Sequence, residues 1–297
     1  GGTEMGQGLH TKMLTVCAHE LGVPKDRVRV MTTATDKVPN TSATAASSGS
    51  DLNGAAVRDA CVAVRERMKL VAAELLGAPG PDSVRFQDGR VFVEGAQEHC
   101  VDFAQVALEC WLRQISLSAT GFYRTPGIAY DEAKGQGTPF YYFAYGASVL
   151  EVELNGLTGE HRLLRADILH DVGDSLIPSI DRGQVEGAFL QGYGWLTCEE
   201  CLWDADGRAT TVGPSTYKVP AVGEAPLDFR VELLPEAAQE GVIHGSKAVG
   251  EPPFIHGIAA ITALRHAIQG FGEGEVTLEL PASPEHLLRA IEAQRGD

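Results

Sequence analysis

One carboxylate in this chain, Glu251, stands between a glycine and two consecutive prolines within the stretch 245–253. Gly250 permits a close approach of the backbone to a neighbour. Pro252 disfavours the α region for Glu251, and the second proline has a fixed φ that suits a first helical turn. A carboxylate held in this way is a candidate general base. The alternative is a glutamate at a helix start that satisfies free backbone N–H groups.

A loop rich in glycine opens the chain and leads directly into a helical pattern. Residues 1–8 precede apolar residues at helical spacing, and Gly22 with Pro24 supplies a stop. Free N–H groups at such a helix start, with the helix dipole behind them, favour a bound phosphate or the polar edge of a cofactor. The glycine spacing matches neither a dinucleotide fingerprint nor a P-loop.

A second loop, residues 44–54, precedes a long predicted helix with Asp51 or Asn53 as its candidate cap. Small side chains in this loop leave room for a ligand to contact the backbone. They are Ala45, Ala46, Ser47 and Ser48. The alternative interpretation is a plain capped linker.

A third helix is predicted from residue 181 to about residue 196. Its Gln184 is placed to donate an amide hydrogen bond to a ligand. Three glycines in this helix favour close packing against a neighbour. They are Gly187, Gly192 and Gly194.

The remaining patterns mix strands and helices without strict alternation. They predict a strand at 27–33, a hairpin at 84–93 that turns at Asp88-Gly89, a short helix at 102–112 and a second hairpin within 140–170. Most aromatic residues of the second hairpin are expected in the core. This mixture favours an α+β architecture in two subdomains that meet near residue 120 or 170. We take the subdomains as residues 1–120 and 121–297.

Composition excludes several classes of protein. The chain has 297 residues, of which 44% are apolar, which is enough for one large domain or two subdomains. A formal charge of −16 argues against a nucleic-acid partner, because that function needs clustered Lys and Arg. The sequence contains no long apolar run typical of a membrane span, and its start lacks a signal-peptide pattern.

The cysteines and histidines indicate structural roles. Six cysteines lack the regular short spacing of a secreted disulfide framework, which favours a reducing cytoplasm. Cys198 and Cys201 have the two-residue gap of redox or metal-binding pairs, but no second pair accompanies them, so ordinary packing is favoured. Histidines near the motifs are expected to be structural rather than metal ligands. They are His10, His244 and His256.

Six segments taken together resemble the molybdenum-binding region of the xanthine dehydrogenases, within the wider xanthine oxidase and aldehyde oxidase family of molybdenum hydroxylases. They are residues 1–8, 44–54, 121–126, 183–189, 213–218 and 245–253. The resemblance runs from residue 1 to about residue 270 and favours xanthine dehydrogenase over aldehyde-oxidising relatives. Because the chain opens on Gly1-Gly2 inside a motif, we expect a piece of a longer polypeptide.

The resemblance implies roles for individual residues. It implies that Glu251 is the general base that removes a proton from a hydroxyl on molybdenum, and burial beside the anionic cofactor is expected to raise the pKa of Glu251. The metal is expected to take no ligand from this chain. The positions implied in binding the molybdenum-pterin cofactor are Met5, Gly6, Gln7, Ala45, Ala46, Ser47 and Gln184.

The implied reaction hydroxylates hypoxanthine to xanthine and xanthine to urate, with water as the oxygen source. FAD and 2Fe-2S clusters are expected in other domains or in a companion subunit. The upstream half of the molybdenum domain and a second protomer in a dimer are further expected partners. Two alternatives stay open: an aldehyde oxidase-type molybdenum hydroxylase, and a cofactor-free fragment that acts only as a scaffold.

Overall fold

The structure is a computed structural model that describes residues 1–38, 41, 43–44 and 47–296. It divides into two compact units. The first comprises Gly1–Phe143 and Ala238–Ala248, and the second comprises Ala144–Ala237 and Val249–Asp297. Helices and strands are mixed without strict alternation, which confirms the α+β fold. The predicted subdomains 1–120 and 121–297 have other bounds than these compact units. The division of the chain at residue 120 stays a prediction.

Two helices form the centre of the first unit. Helix α1 (Leu9–Leu21) ends at Gly22, which has φ 62° and lets the chain reverse, so the predicted stop is confirmed. Helix α2 (Gly49–Leu76) buries Met68 and Val71, which agrees with the predicted long helix.

A three-stranded antiparallel sheet packs beside α2 in the first unit. Its strands are β1 (Val84–Gln87), β2 (Arg90–Val93) and β3 (Ala96–Asp102), in that order. The β1–β2 turn places Asp88 at φ 52° and Gly89 at φ 78°, which confirms the predicted hairpin. Helix α3 (Phe103–Leu112) follows and confirms the predicted short helix, with Asp102 at its N-cap position. Apolar residues of the sheet, α2 and α3 share one core.

The predicted strand at 27–33 is wrong. Arg27 ends a short 3₁₀ helix, Lys25–Arg27, and the residues that follow have no regular structure. Met31 is 69% exposed. Strands are stabilised by packing one face of alternating side chains against a core, and the apolar side chain of Met31 does not pack in this way. The last strands of the first unit are β4 (Ala129–Asp131) and β5 (Gln136–Thr138), which form a small antiparallel pair.

The second unit is built on a three-stranded sheet. The strands are β6 (Gly146–Leu154), β7 (His161–His170) and β8 (Asp228–Leu233), in that order. Strands β6 and β7 are antiparallel, whereas β7 and β8 are parallel. The helices are α4 (Pro178–Thr197), α5 (Ile258–Gln269) and α6 (Pro284–Arg295). Phe189 of α4 is fully buried in a core with Ile168 of β7 and Val231 of β8. In the described part of the chain, no helix combines the length and apolarity that crossing a membrane requires.

The second predicted hairpin is confirmed by β6 and β7, but its aromatic residues are not core. Phe140, Phe143 and Tyr145 are 65%, 60% and 66% exposed. These residues precede the first residue of β6, so the alternation of the sheet does not bury them.

Candidate active-site and cofactor-binding segments

The start of α1 is occupied by a side chain of the same loop. Glu4 Oε1 accepts hydrogen bonds from the N–H groups of Gly6 and Gly8, both at 2.9 Å, and Glu4 Oε2 accepts one from His10 N–H at 2.8 Å. Burial works in the opposite direction, but these hydrogen bonds lower the pKa of Glu4. The Glu4 carboxylate thus takes the place at the start of α1 that a bound phosphate would need, while the expected contact with the polar edge of a cofactor stays a prediction.

The loop around Gly6 is open on one side. Gly6 has φ 100°, and among the described residues no atom lies within 4 Å of the position that its Cβ would occupy. Met5 is 68% exposed. Gln7 Nε2 donates to the carbonyl of Thr3 at 2.8 Å, and Gln7 Oε1 accepts from Met5 N–H at 2.5 Å. The loop thus holds its own shape while the backbone at Gly6 stays accessible.

The first loop lies against the loop before α2. Thr3 N–H donates to Thr44 Oγ1 at 2.8 Å, and the amino group of Gly1 donates to Asn53 Oδ1 at 3.3 Å. A Cβ on Gly2 would lie 3.0 Å from Asn53 Nδ2 and 2.4 Å from a methyl carbon of Leu9, so a larger residue here would require these side chains to move. The structure therefore brings together two of the three segments predicted to bind a cofactor.

The residues predicted within the second loop have different positions in the structure. Ser47 is half-buried in the turn that precedes α2. Ala45 and Ala46 lie outside the described residues. The candidate caps Asp51 and Asn53 are wrong, because α2 begins at Gly49 and both residues lie inside its first turns.

Asp51 instead joins two distant parts of the first unit. Its carboxylate accepts a short hydrogen bond from the hydroxyl of Tyr142, and that hydroxyl oxygen accepts one from Ala248 N–H at 2.8 Å. Burial raises the pKa of Asp51 to about 6, against the lowering effects of the Tyr142 hydrogen bond and of Lys12. Next to Ala248, Lys247 Nζ donates to the carbonyl of Phe143 at 3.0 Å. The segment that leads toward Glu251 is thereby fastened to the first unit up to Ala248.

Glu251 itself lies in the second unit, immediately before the 3₁₀ helix Pro252–Gly257. Its side chain is exposed. The expectation that Pro252 keeps Glu251 out of the α region is wrong, since Glu251 has φ −107° and ψ −36°. Phe254 N–H donates to the main-chain carbonyl of Glu251 at 3.0 Å, so the first donor of this helix is satisfied by backbone rather than by the carboxylate. The start of the helix at the two prolines is as predicted.

Helix α4 and the Glu251 segment pack backbone against backbone. A Cβ on Gly192 would lie 2.4 Å from the carbonyl oxygen of Phe254, and a Cβ on Gly257 would lie 2.5 Å from the carbonyl carbon of Gly192. Gly194 is equally crowded, by Pro220 at 2.4 Å. Gly187 is different, because no described atom lies within 4 Å of its Cβ position, so the packing role predicted for it is wrong. Gln184 is half-buried on the same helix.

Sequence reasoning missed Tyr142. The sequence pattern places Tyr142 among the aromatic residues of a hairpin strand, whereas its hydroxyl connects the start of α2 to the segment before Glu251. No local pattern signals this role, because Asp51 and Tyr142 are 91 residues apart in the chain. Cys198 is a half-buried free thiol at the end of α4, and Cys201 is an exposed free thiol beyond it, so the packing role expected for the pair stays a prediction.

The family model for the molybdopterin cofactor-binding domain matches residues 1–226. Over 98% of its length the chain is 43% identical to xanthine dehydrogenase of Oryza sativa subsp. japonica, and over 90% it is 46% identical to that of Dictyostelium discoideum. The chain spans 20% and 18% of the lengths of those two relatives.

Solved structures give the same fold. Quinoline 2-oxidoreductase from Pseudomonas putida 86 superposes with a TM-score of 0.84 at 27% identity, covering 99% of this chain and 36% of that one. Reconstituted CO dehydrogenase from Oligotropha carboxidovorans superposes with a TM-score of 0.83 at 21% identity, covering 99% of this chain and 35% of that one, which supports the fold alone. The chain belongs to the molybdopterin cofactor-binding domain family, and the relatives that it resembles over nearly its whole length are xanthine dehydrogenases.

Proposed function

We propose that this chain is the part of a xanthine dehydrogenase-type molybdenum hydroxylase that holds the pterin cofactor and supplies the general base, Glu251. The observation that carries the proposal is the exposed Glu251 carboxylate on a turn packed backbone to backbone against helix α4. A turn held by two prolines and a glycine contact keeps a carboxylate in one place, which proton transfer requires.

The residues of the first loop fit a pterin cofactor. Pterin rings are polar and flat, and the backbone at Gly6 has an open side where a Cβ would otherwise stand. In this proposal Met5, Gly6 and Gln7 contact the cofactor, and the Gln7 amide exchanges its bond to Thr3 for one to the ligand. The other proposed contacts are Ala45, Ala46, Ser47 and Gln184. All of them offer neutral amide, hydroxyl or backbone groups, which suits a hydrogen-bonding ligand.

When bound, the molybdenum-pterin group would supply the oxygen that is transferred and accept the electron pair from the substrate. The contribution of this chain is the movement of one proton. A carboxylate oxygen of Glu251 accepts the proton of the attacking hydroxyl while the hydroxyl oxygen bonds to the electron-poor carbon of the purine. Gln184 orients the cofactor by an amide hydrogen bond.

The proposed substrates are hypoxanthine, converted to xanthine, and xanthine, converted to urate. The support is the similarity to proteins named xanthine dehydrogenase at 43% and 46% identity. A panel of purines and aldehydes assayed on the holoenzyme tests this choice. Turnover of aldehydes with none of xanthine would replace the proposal with an aldehyde oxidase-type activity.

The proposed partners follow from the length of the relatives, of which this chain spans about a fifth. They are the upstream half of the molybdenum domain, domains or a companion subunit with FAD and 2Fe-2S clusters, and a second protomer in a dimer. A cytoplasmic location is part of the proposal, because all six cysteines are free thiols.

The test of the base is Glu251→Gln in the holoenzyme, purified with the polypeptides that accompany the chain. We expect kcat for xanthine to fall by about 10²- to 10⁴-fold, because general base catalysis contributes that much. Molybdenum per chain should be unchanged. The matched control is Glu273→Gln, an exposed carboxylate of the same unit, for which we expect wild-type turnover. A Glu251→Gln enzyme with near wild-type kcat would refute the assignment of the base.

Molybdenum content also separates the proposal from a scaffold role. About one molybdenum per chain in the wild-type preparation supports a cofactor-binding chain. Absence of molybdenum, with the companion polypeptides present, would contradict it and favour a cofactor-free scaffold.

A further inference from the structure

Three side chains of the first unit converge at the end of α1. His19 Nδ1 lies 3.8 Å from Glu20 Oε1, and His244 Nε2 lies 3.4 Å from the same oxygen. The three donor atoms all lie within 4.8 Å of one another. Zinc bonds to nitrogen and oxygen of about 2.0 to 2.2 Å place neighbouring tetrahedral ligands roughly 3.3 to 3.5 Å apart. The two contacts to Glu20 Oε1 are close to this spacing, and the two histidine nitrogens, which lie within 4.8 Å of each other, would move closer together to share one ion.

The backbone of the segment 238–248 aims His244 at this place. His244 has φ 48° and ψ 32°, a left-handed conformation that is uncommon for a residue with a side chain. The preceding Ile243 is 2% exposed, and its side chain packs against Gly54 of α2. A Cβ on Gly54 would lie 3.3 Å from the Ile243 side chain. The buried Ile243 therefore fixes the direction of the neighbouring imidazole.

The contact between His244 and Glu20 is not a hydrogen bond. Within the described part of the chain, the buried Nε2 of His244 has no hydrogen-bond partner, although it lies 3.4 Å from the Glu20 carboxylate. An imidazole lone pair that faces a carboxylate oxygen is repelled unless a proton or a cation lies between them. A cation bound between these atoms would relieve that repulsion.

Two arginines share the Glu20 carboxylate and limit the expected affinity. Arg65 contacts the other oxygen, Oε2, at 3.3 Å and the Glu20 carbonyl at 2.5 Å. Arg58 Nε lies 3.7 Å from Oε1, but its side chain is 56% exposed and free to turn toward water. A divalent ion at Oε1 would be repelled by these charges, so we expect weaker binding than at structural zinc sites.

We propose that His19, Glu20 and His244 form a binding site for a divalent transition-metal ion, with Zn²⁺ as the physiological candidate. This replaces the sequence-based expectation that His244 is structural rather than a ligand. Two imidazoles and one carboxylate select zinc, cobalt or nickel over magnesium and calcium, which prefer oxygen ligands. Three protein ligands leave the fourth position to water, since His19 is 70% exposed. The ion would connect the segment 238–248 to α1 and stabilise the part of the chain that leads to Glu251.

The test is titration of the full chain, with its companion polypeptides, by ZnCl₂ in a calorimeter, after chelator treatment and dialysis. Co²⁺ serves as a second probe, because tetrahedral coordination gives it visible absorption. We expect a binding event of one ion per chain that is at least tenfold weaker in His19→Ala. His19 is exposed, so this variant should keep the fold.

A second variant and a control make the result specific. His244→Asn removes the imidazole but keeps a residue that tolerates a left-handed conformation, and it should also weaken binding at least tenfold. His99→Ala, an exposed histidine of β3, should bind as the wild type does. Zn²⁺ should raise the melting temperature of wild-type protein and not of His19→Ala. Unchanged affinity in His19→Ala and His244→Asn, or no binding by the wild type, would overturn the proposal.

Discussion

His170 Nδ1 and His256 Nε2 lie 3.0 Å apart in the second unit. Both histidines are buried, with 1% of the surface of His170 and 3% of the surface of His256 exposed. The pair joins the end of β7 to the 3₁₀ helix Pro252–Gly257, which begins directly after Glu251. Gly146 of β6 completes the contact, because a Cβ there would lie 2.6 Å from the His256 ring and 2.9 Å from His170 Nδ1. A hydrogen bond between two imidazoles needs one proton, so the pair is suited to the neutral state of both rings.

The stability of the protein should depend on pH through His170. Burial and then the neighbouring His256 lower the pKa of His170 to about 4 from a usual value of 6.5, while Asp171 opposes this shift. The unfolded chain therefore binds a proton at His170 at a pH where the folded chain does not. Stability from this residue is complete above pH 6.5 and is lost as pH falls toward 4, by roughly 3 kcal/mol. The free energy of unfolding in urea, measured from pH 7 to pH 4.5, should decrease less steeply in His170→Asn.

Asp51 changes stability with pH in the direction opposite to His170, so the dependence of the unfolding free energy on pH must be compared between wild type and His170→Asn. Its pKa of about 6 in the folded state exceeds the usual 3.8, so its contribution to stability falls as pH rises through this range. The wild-type curve alone therefore combines two opposing effects. Equal slopes for wild type and His170→Asn would show that His170 does not titrate as the buried pair requires.

The second prediction concerns Tyr142. Its hydroxyl donates to Asp51 Oδ2 and accepts from Ala248 N–H, and the other carboxylate oxygen, Oδ1, has no hydrogen-bond partner within the described residues. Tyr142→Phe should destabilise the protein by about 1–3 kcal/mol, because it leaves a buried acceptor and donor unsatisfied. The midpoint of urea unfolding measures this loss. Tyr130→Phe, which removes a hydroxyl from a residue that is 53% exposed, is the control and should change the midpoint little. A Tyr142→Phe midpoint equal to that of the control would contradict the assigned role.

The elements that sequence reasoning recovered are those with a local cause. Gly22 ends α1 because glycine adopts φ 62° without strain, and Asp88-Gly89 forms the β1–β2 turn for the same reason. The two prolines start the 3₁₀ helix after Glu251. Each of these conformations depends on residues within a few positions, so the sequence alone is enough to predict them.

The contacts that shape the candidate site are not local. His170 and His256 are 86 residues apart in the chain, and their meeting depends on how β7 and the 3₁₀ helix pack. The histidine cluster at the end of α1 lacks a spacing pattern for the same reason, since His244 arrives from the segment 238–248. Glu4 is an exception, because an acidic residue just before a helix start is a local sequence signal for a side chain that accepts hydrogen bonds from the first N–H groups of the helix.

The third prediction tests the packing of α4 against the Glu251 segment. A Cβ on Gly192 would lie 2.4 Å from the Phe254 carbonyl oxygen, and neither backbone has a flexible group that could give way. Gly192→Ala should therefore cost about 1–3 kcal/mol of stability through overpacking and displace the turn that holds Glu251. In the holoenzyme we expect xanthine turnover to fall at least tenfold with molybdenum content retained.

Gly187→Ala on the same helix is the matched control. Among the described residues no atom lies within 4 Å of its Cβ position, so alanine should stabilise α4 by about 0.5–1 kcal/mol through its helix propensity and leave turnover unchanged. The two variants differ only in what the added methyl group meets, and urea midpoints together with kcat separate them. If Gly192→Ala matched Gly187→Ala in both measurements, the close backbone contact would have no part in positioning Glu251. If Gly192→Ala lowered stability but not kcat, the contact would stabilise the fold without positioning Glu251. If it lowered both stability and kcat, the packing of α4 would also determine the position of the Glu251 carboxylate.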